Sequence, residues 1–104
     1  MFGFLFGKDI NKGVEEFRNT RDAVLLDVRT SDEYKSGHIE GSLNIELDNI
    51  RDIQKKVKDK NTPLFVHCLS GARSSSAVSL LKSMGYTNVK NICGISNYKG
   101  RLKV

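Results

Sequence analysis

The residues able to do chemistry gather in one stretch of this chain, Pro63 to Met84. An apolar run, Leu64-Phe65-Val66, stops at His67-Cys68, and a helical pattern begins a few residues later. Cys68 is a nucleophile when its thiol ionises, because the thiolate is the reactive form. Leu69-Ser70-Gly71-Ala72 separates it from Arg73, a spacing of Cys-x4-Arg. The order strand, nucleophile, small-residue loop, helix aims loop amides and the positive helix end at whatever occupies the loop. The stretch therefore reads as an anion cradle that holds Cys68 as a thiolate, with Arg73 closing it. One more residue would widen the loop enough for a tetrahedral phosphoryl group; at this length it is too tight. The plainer reading makes Cys68 a core cysteine at a strand end, Gly71 a turn glycine and Arg73 a solvated charge. A cation is disfavoured at a helix N-terminus unless an anion is near, which favours the cradle.

Such a loop needs elements to position it. Leu64 to Val66 predicts a short buried strand, and Ala77, Val78, Leu81 and Met84 recur at helical spacing, with Gly85 placed to end that helix. Ala23 to Val28 is the clearest strand, apolar on both faces and so central in a parallel sheet. Asp27 interrupts it, and Arg29 lies two residues on along the same face. The pair reads as a structural brace, or as a contribution to the site in which Arg29 helps bind substrate. Thr30 and Glu33 fit a capping box that opens a short helix stopping at Gly37. His38 reads as a loop-fixing hydrogen-bonder near the site before it reads as a proton shuttle. Ser42 to Ile45 and Val89 to Ile92 predict further short strands, and Asp48 is a candidate cap for a helix burying Ile50, Ile53 and Val57. Asn11 is a candidate cap for a helix carrying Val14 and Phe17. Phe2, Phe4, Leu5 and Phe6 form an apolar segment that packs on the core or docks elsewhere. Strands alternating with helices predict an α/β domain with a mainly parallel sheet, helices on both faces and ligands beyond the carboxyl ends of the strands. Cys68 falls at such an end.

The 104 residues suit a single domain spanning 1–104. A hydrophobic share of 38% and a charged share of 28% place it in the soluble globular class. The net charge of +5 suits a small anionic substrate or an acidic partner protein. Nucleic acid is not an expected partner: the lysines cluster only at Lys55, Lys56, Lys58 and Lys60, without interleaved aromatics. No apolar stretch is long enough to span a bilayer and the N-terminus lacks the marks of a secretory leader, so a cytoplasmic protein without membrane contact is expected. Two cysteines, Cys68 and Cys93, are too few for a disulfide framework, and no zinc spacing exists, so no metal is expected.

Leu26-Asp27-Val28-Arg29, Glu33-Tyr34, Gly37-His38-Ile39, Gly41-Ser42, Asn44-Ile45 and Cys68-Leu69-Ser70-Gly71-Ala72-Arg73-Ser74 stand in the order found in the single-domain rhodanese-like sulfurtransferases, which the chain resembles over about residues 9–100. The resemblance implies a five-stranded, mainly parallel sheet flanked by helices on both faces. It also implies that Cys68 takes a sulfane sulfur from a small anionic donor such as thiosulfate and passes it, as a persulfide, to a thiol or to cyanide. By the same resemblance the amides of Leu69, Ser70, Gly71, Ala72 and Ser74 would hold the terminal sulfur and Arg73 would position the anion and brace the loop, with no metal or organic cofactor. Three positions depart from the family pattern. Leu69 stands where a basic residue is common, which gives less help with thiosulfate. Cys93-Gly94 and Tyr98 replace two glycines and a tryptophan, so Cys93 is either a small stand-in for glycine or a thiol that resolves a persulfide. The related phosphatases use Cys-x5-Arg, whereas here Arg73 comes one residue early and Ser74 takes its place. The alternatives to an enzyme are a non-catalytic binding module and a persulfide carrier for a partner protein.

Overall fold

Among the described residues, each stretch that reads as a strand becomes a strand of one parallel sheet. The computed structural model describes residues 9–104. In it β1 (Val24–Asp27), β2 (Ser42–Asn44), β3 (Leu64–Cys68) and β4 (Val89–Gly94) lie in the order β2-β1-β3-β4, every neighbouring pair parallel. β3, at the centre, is buried along its whole length, which is why it reads as an unbroken apolar run. The register sets Asp27 opposite both Asn44 and His67, and Cys68 opposite Gly94, so the carboxyl ends of the strands converge at one edge.

The described residues hold four strands, where the resemblance implied five. Only four stretches carry strand patterning in the sequence itself. The C-terminal segment alternates Arg101 and Lys103 with Leu102 and Val104, but Leu102 and Val104 stay exposed, and the segment makes only a lone antiparallel bridge between Lys103 and His38. Phe2, Phe4, Leu5 and Phe6 lie outside the described residues.

Helices cover both faces. On one side α4 (Ala72–Ser83) and α3 (Ile53–Lys56) pack Ala77, Leu81 and Ile53 against Leu26, Val28, Val66 and Cys68. On the other, α1 (Ile10–Arg18) sets Ile10 and Val14 against Leu25, Phe65 and Ile92. The α1 cap is Asp9, not Asn11: its carboxylate accepts the Asn11 amide at 2.9 Å, because the buried Ile10 already belongs to the first turn. Asn11 instead accepts the Lys99 amide through its own side chain at 2.8 Å. The stretch expected as a helix capped by Asp48 opens as a 3-10 turn, Leu47–Asp52, with no side-chain cap, and only then becomes α3; Ile50, Ile53 and Val57 are buried as their spacing predicts. α2 (Ser31–Ser36) has the predicted capping box, with Glu33 N donating to Thr30 Oγ1 at 3.2 Å and Thr30 N to Glu33 Oε1 at 2.9 Å. No helix among the described residues is long and apolar enough to cross a membrane.

Candidate active site

β3 delivers Cys68 to the carboxyl edge of the sheet, and the chain then folds back over it. Gly71, at φ +113°, makes the reversal and stands directly ahead of α4. That backbone geometry is open to glycine at little cost. It turns the Gly71 amide onto Cys68 Sγ at 3.0 Å, and the first turn of α4 adds the Ser74 amide at 3.3 Å. The loop rests on Gly94 of β4, where a Cβ would overlap the Leu69 carbonyl oxygen and come within 2.6 Å of Ser70 Cα.

Ser74 is wholly buried, and its hydroxyl lies 3.4 Å from Cys68 Sγ, 3.0 Å from the Gly71 carbonyl and 2.8 Å from Asn91 Oδ1. A hydroxyl has one proton and can accept as well. With Cys68 as a thiol, the S–H donates to Ser74 Oγ while the hydroxyl donates to Asn91 or Gly71. With Cys68 as a thiolate, the hydroxyl can turn its proton to sulfur, and Asn91 Oδ1 keeps the Cys93 amide at 2.8 Å. Burial opposes ionisation of Cys68, which is 1% exposed, but the Ser74 hydroxyl, the Ser74 and Gly71 amides and the Ser70 amide outweigh it and bring the thiol pKa below its ordinary value. The two amides aimed at sulfur do not depend on which way the hydroxyl turns.

Arg73 is engaged by Glu33 through Nη1–Oε1 at 2.7 Å and Nη2–Oε2 at 3.1 Å, which ties α4 to α2. The anion that permits a cation at this helix end is thus Glu33. The guanidinium draws the Glu33 carboxyl down to about 2, and the carboxylate in turn raises Arg73, with a smaller push from Cys68. Arg73 and Glu33 remain about a third exposed.

Asp27 and Arg29 form the brace expected of their shared face. Arg29 donates to Asp27 Oδ2 from Nη2 at 2.7 Å, to Oδ1 from Nε at 3.0 Å, and to the Gly37 carbonyl from Nη2 at 2.8 Å. This fastens the end of β1 to the end of α2; no hydrogen bond among the described residues runs from Arg29 to the Cys68 loop. His67 Nε2 approaches Asp27 Oδ2 at 3.4 Å from the next strand. Burial pushes the Asp27 carboxyl up, but His67 and Arg29 prevail and hold it at about 2. His38 stacks on Tyr34 at 3.9 Å, with Nδ1 2.9 Å from the Tyr34 carbonyl, and so fixes the turn after α2.

The structure thus brings together Cys68, Ser70, Gly71 and Ser74, sets Arg73 beside them through Glu33, and leaves Asp27, Arg29 and His38 as supports for β1 and α2. Ala72 opens α4, and Leu69 exposes an apolar side chain at the loop. Sequence reasoning missed Asn91, Glu33 as the partner of Arg73, and His67. Asn91 stands beside Lys90 in a strand of mixed character and carries no local signal of its contact with Ser74. No group of three or more His, Cys, Asp and Glu among the described residues is placed to hold a metal ion.

The sequence model of the rhodanese-like domain family matches residues 11–100. The thiosulfate sulfurtransferase PspE of Escherichia coli is 37% identical over 73 residues, covering 69% of this chain and 70% of that protein. The thiosulfate sulfurtransferase GlpE of Coxiella burnetii is 32% identical over 79 residues, 76% of this chain and 73% of that one. Among solved structures, a rhodanese with anions from E. coli superposes with a TM-score of 0.72 at 33% identity, covering 78% of this chain and 96% of its own. A rhodanese-like domain protein from Staphylococcus aureus, at 24% identity and a TM-score of 0.78, shares the fold over 92% of this chain and 94% of its own.

Proposed function

This chain belongs to the rhodanese-like domain family, and from that premise we propose that it is a sulfurtransferase working through a Cys68 persulfide. The Cys68 thiolate attacks the sulfane sulfur of thiosulfate or another persulfide donor. With thiosulfate a new S–S bond forms, the donor's S–S bond breaks, and sulfite leaves with the electron pair. Cyanide or a thiol then attacks the terminal sulfur and restores the thiolate. A persulfide is a compact anion, and converging N–H donors in a dry, positively polarised loop stabilise it.

The observation that carries this reading is the pair of amides, Gly71 and Ser74, aimed at Cys68 Sγ at 3.0 and 3.3 Å. The amides of Leu69, Ser70 and Ala72 complete the loop that would take the terminal sulfur. Arg73, held by Glu33, adds positive charge at its edge, and Asp27 with Arg29 keeps the strand ends in place. The cycle requires no metal or organic cofactor, because the cysteine carries the sulfur. Reliance on a thiolate suits a reducing, cytoplasmic setting.

A second reading, a persulfide carrier for an acceptor protein, is favoured by Leu69. Its side chain is 43% exposed beside the nucleophile, where an apolar group helps a protein surface more than it helps thiosulfate.

The test is sulfur transfer from thiosulfate to cyanide, followed as thiocyanate, with intact mass spectrometry and a Cys68→Ser control. Turnover that vanishes in the control supports the enzyme. A stable single added sulfur without turnover supports the carrier. A folded protein that gives neither overturns the reading for this donor.

A further inference from the structure

Cys93 sits where β4 departs from regular pairing. The register runs Val66 with Asn91 and then His67 with Cys93, so Ile92 is an extra residue and the strand bulges. Bulges re-aim side chains. Cys93 follows with φ +77°, a left-handed conformation that glycine adopts freely and a cysteine adopts at a cost of about 1 kcal/mol. Glycine would meet a need for smallness here without that cost, whereas cysteine adds a thiol.

The bulge turns that thiol to the Cys68 loop. The atom closest to where a Gly71 side chain would begin is Cys93 Sγ, at 3.6 Å, with its Cα at 3.8 Å and Cβ at 3.9 Å. The Gly71 amide donates to Cys68 Sγ at 3.0 Å. The two sulfurs therefore flank the same glycine, which has no side chain to stand between them. Cys68 pairs with Gly94, the residue after Cys93. The two cysteines thus stand on neighbouring strands, one residue out of step.

We propose that Cys93 is a resolving thiol that discharges the Cys68 persulfide as hydrosulfide by forming a Cys68–Cys93 disulfide. The step rests on the persulfide reading above. Cys93 Sγ attacks Cys68 Sγ; the Sγ–Sγ bond forms, and the bond from Cys68 Sγ to the terminal sulfur breaks. The terminal sulfur leaves with that bond's electron pair and the proton given up by Cys93. It is reduced from the sulfane to the sulfide level while the two cysteine sulfurs are oxidised to the disulfide, so no outside oxidant is needed. A dithiol reductant then restores both thiols. Hydrosulfide is a fitting leaving group, because the loop amides that hold the terminal sulfur favour it as an anion. The chain would then yield one hydrosulfide per loading and stand closed until reduced, while an external acceptor that reaches the terminal sulfur first diverts it to transfer.

The experiment loads the reduced protein with thiosulfate without cyanide or thiol, and measures sulfite, hydrosulfide and the peptide map over time. Wild type should release sulfite, then hydrosulfide in equal amount, and yield a disulfide-linked pair of peptides containing Cys68 and Cys93. Cys93→Gly, which suits the left-handed backbone, should release sulfite but keep the added sulfur on Cys68; Cys93→Ser serves as the second variant. Sulfite release followed by a persulfide equally long-lived in wild type and both variants would overturn the proposal while sparing the sulfurtransferase. So would recovery of the added sulfur on Cys93. If no sulfite appears, thiosulfate is not the donor. Inorganic polysulfide then loads Cys68 directly, and the hydrosulfide and disulfide readouts decide the second step alone.

Discussion

Replacing Gly94 by alanine tests how the loop is seated. Gly94 has φ −129° and ψ 137°, ordinary strand geometry in which alanine has no backbone penalty. Any effect must come from the added Cβ, which would overlap the Leu69 carbonyl oxygen and sit 2.6 Å from Ser70 Cα and 2.7 Å from Leu69 C. All three are backbone atoms, and the Leu69 carbonyl is further fixed by the Ser96 amide at 3.1 Å. No rotamer change can relieve the contact, so either the loop lifts or β4 moves. Overpacking of this kind costs about 3 kcal/mol, which for a domain of this size lowers the melting midpoint by about 15 °C. The loop carries the amides that meet Cys68 Sγ, so transfer activity should fall in whatever fraction remains folded. Gly85→Ala is the comparator: its φ of +102° carries strain of about 1 kcal/mol, but its nearest new neighbour is Lys60 Cδ at 3.9 Å, which can give way. Urea denaturation of both variants, with thiocyanate production measured below the transition, should rank Gly94→Ala well below Gly85→Ala. Equal midpoints with undiminished transfer in Gly94→Ala would refute the seating of the loop on β4.

Ser74→Ala removes a hydroxyl from Cys68 and leaves the two amides. Alkylation of Cys68 by iodoacetamide at neutral pH should slow about fivefold, the equivalent of ~1 kcal/mol for one hydrogen bond, and an unchanged rate would place the stabilisation entirely in the backbone. Asp27→Asn leaves Arg29 buried against a neutral partner and should cost about 3 kcal/mol or more at neutral pH, read as a shift in the urea midpoint. Asp27 is depressed to about 2, so its contribution is fully present above its unfolded value near 4 and is lost as pH falls toward 2; wild type and variant stabilities should converge across that interval. Glu33→Gln breaks the pair with Arg73, but that pair is about a third exposed, so the loss should be under about 1 kcal/mol and should shrink in high salt, as midpoints at low and high ionic strength would show.

How much of this was legible depends on sequence distance. The cradle reads from the sequence because strand, thiol, turn and helix start lie within one short stretch, and each has a local signature. The α2 capping box and the Asp27–Arg29 brace are likewise local, spanning three and two residues. The Arg73–Glu33 pair joins positions 40 apart, and the Ser74–Asn91 contact joins positions 17 apart. Neither can be found until the sheet order puts α4 between α2 and β4. His67 is hidden for another reason: alternation along β3 faces it to Asp27, and with one residue of strand left it read only as the end of an apolar run. The fifth strand was never in the residue pattern and came with the family. At Asn11 a good capping type lost to Asp9 because burial of Ile10 set the first turn earlier.

The start of α4 leaves one more consequence. Gly71 precedes the helix and offers no side chain to its first amides. A serine or aspartate cap is typically worth about 1 kcal/mol, but its oxygen would compete for the donors that Cys68 and its sulfur cargo use. Gly71 instead leaves those donors to Cys68 Sγ, which takes the Ser74 amide at 3.3 Å, and to any sulfur that Cys68 carries. A persulfide stays bonded to Cys68 when the chain unfolds, so it stabilises the fold only through the hydrogen bonds its terminal sulfur gains in the folded loop, and on that account the laden protein should melt later than the unladen one. Its thermal stability would then report whether the sulfur has been handed on.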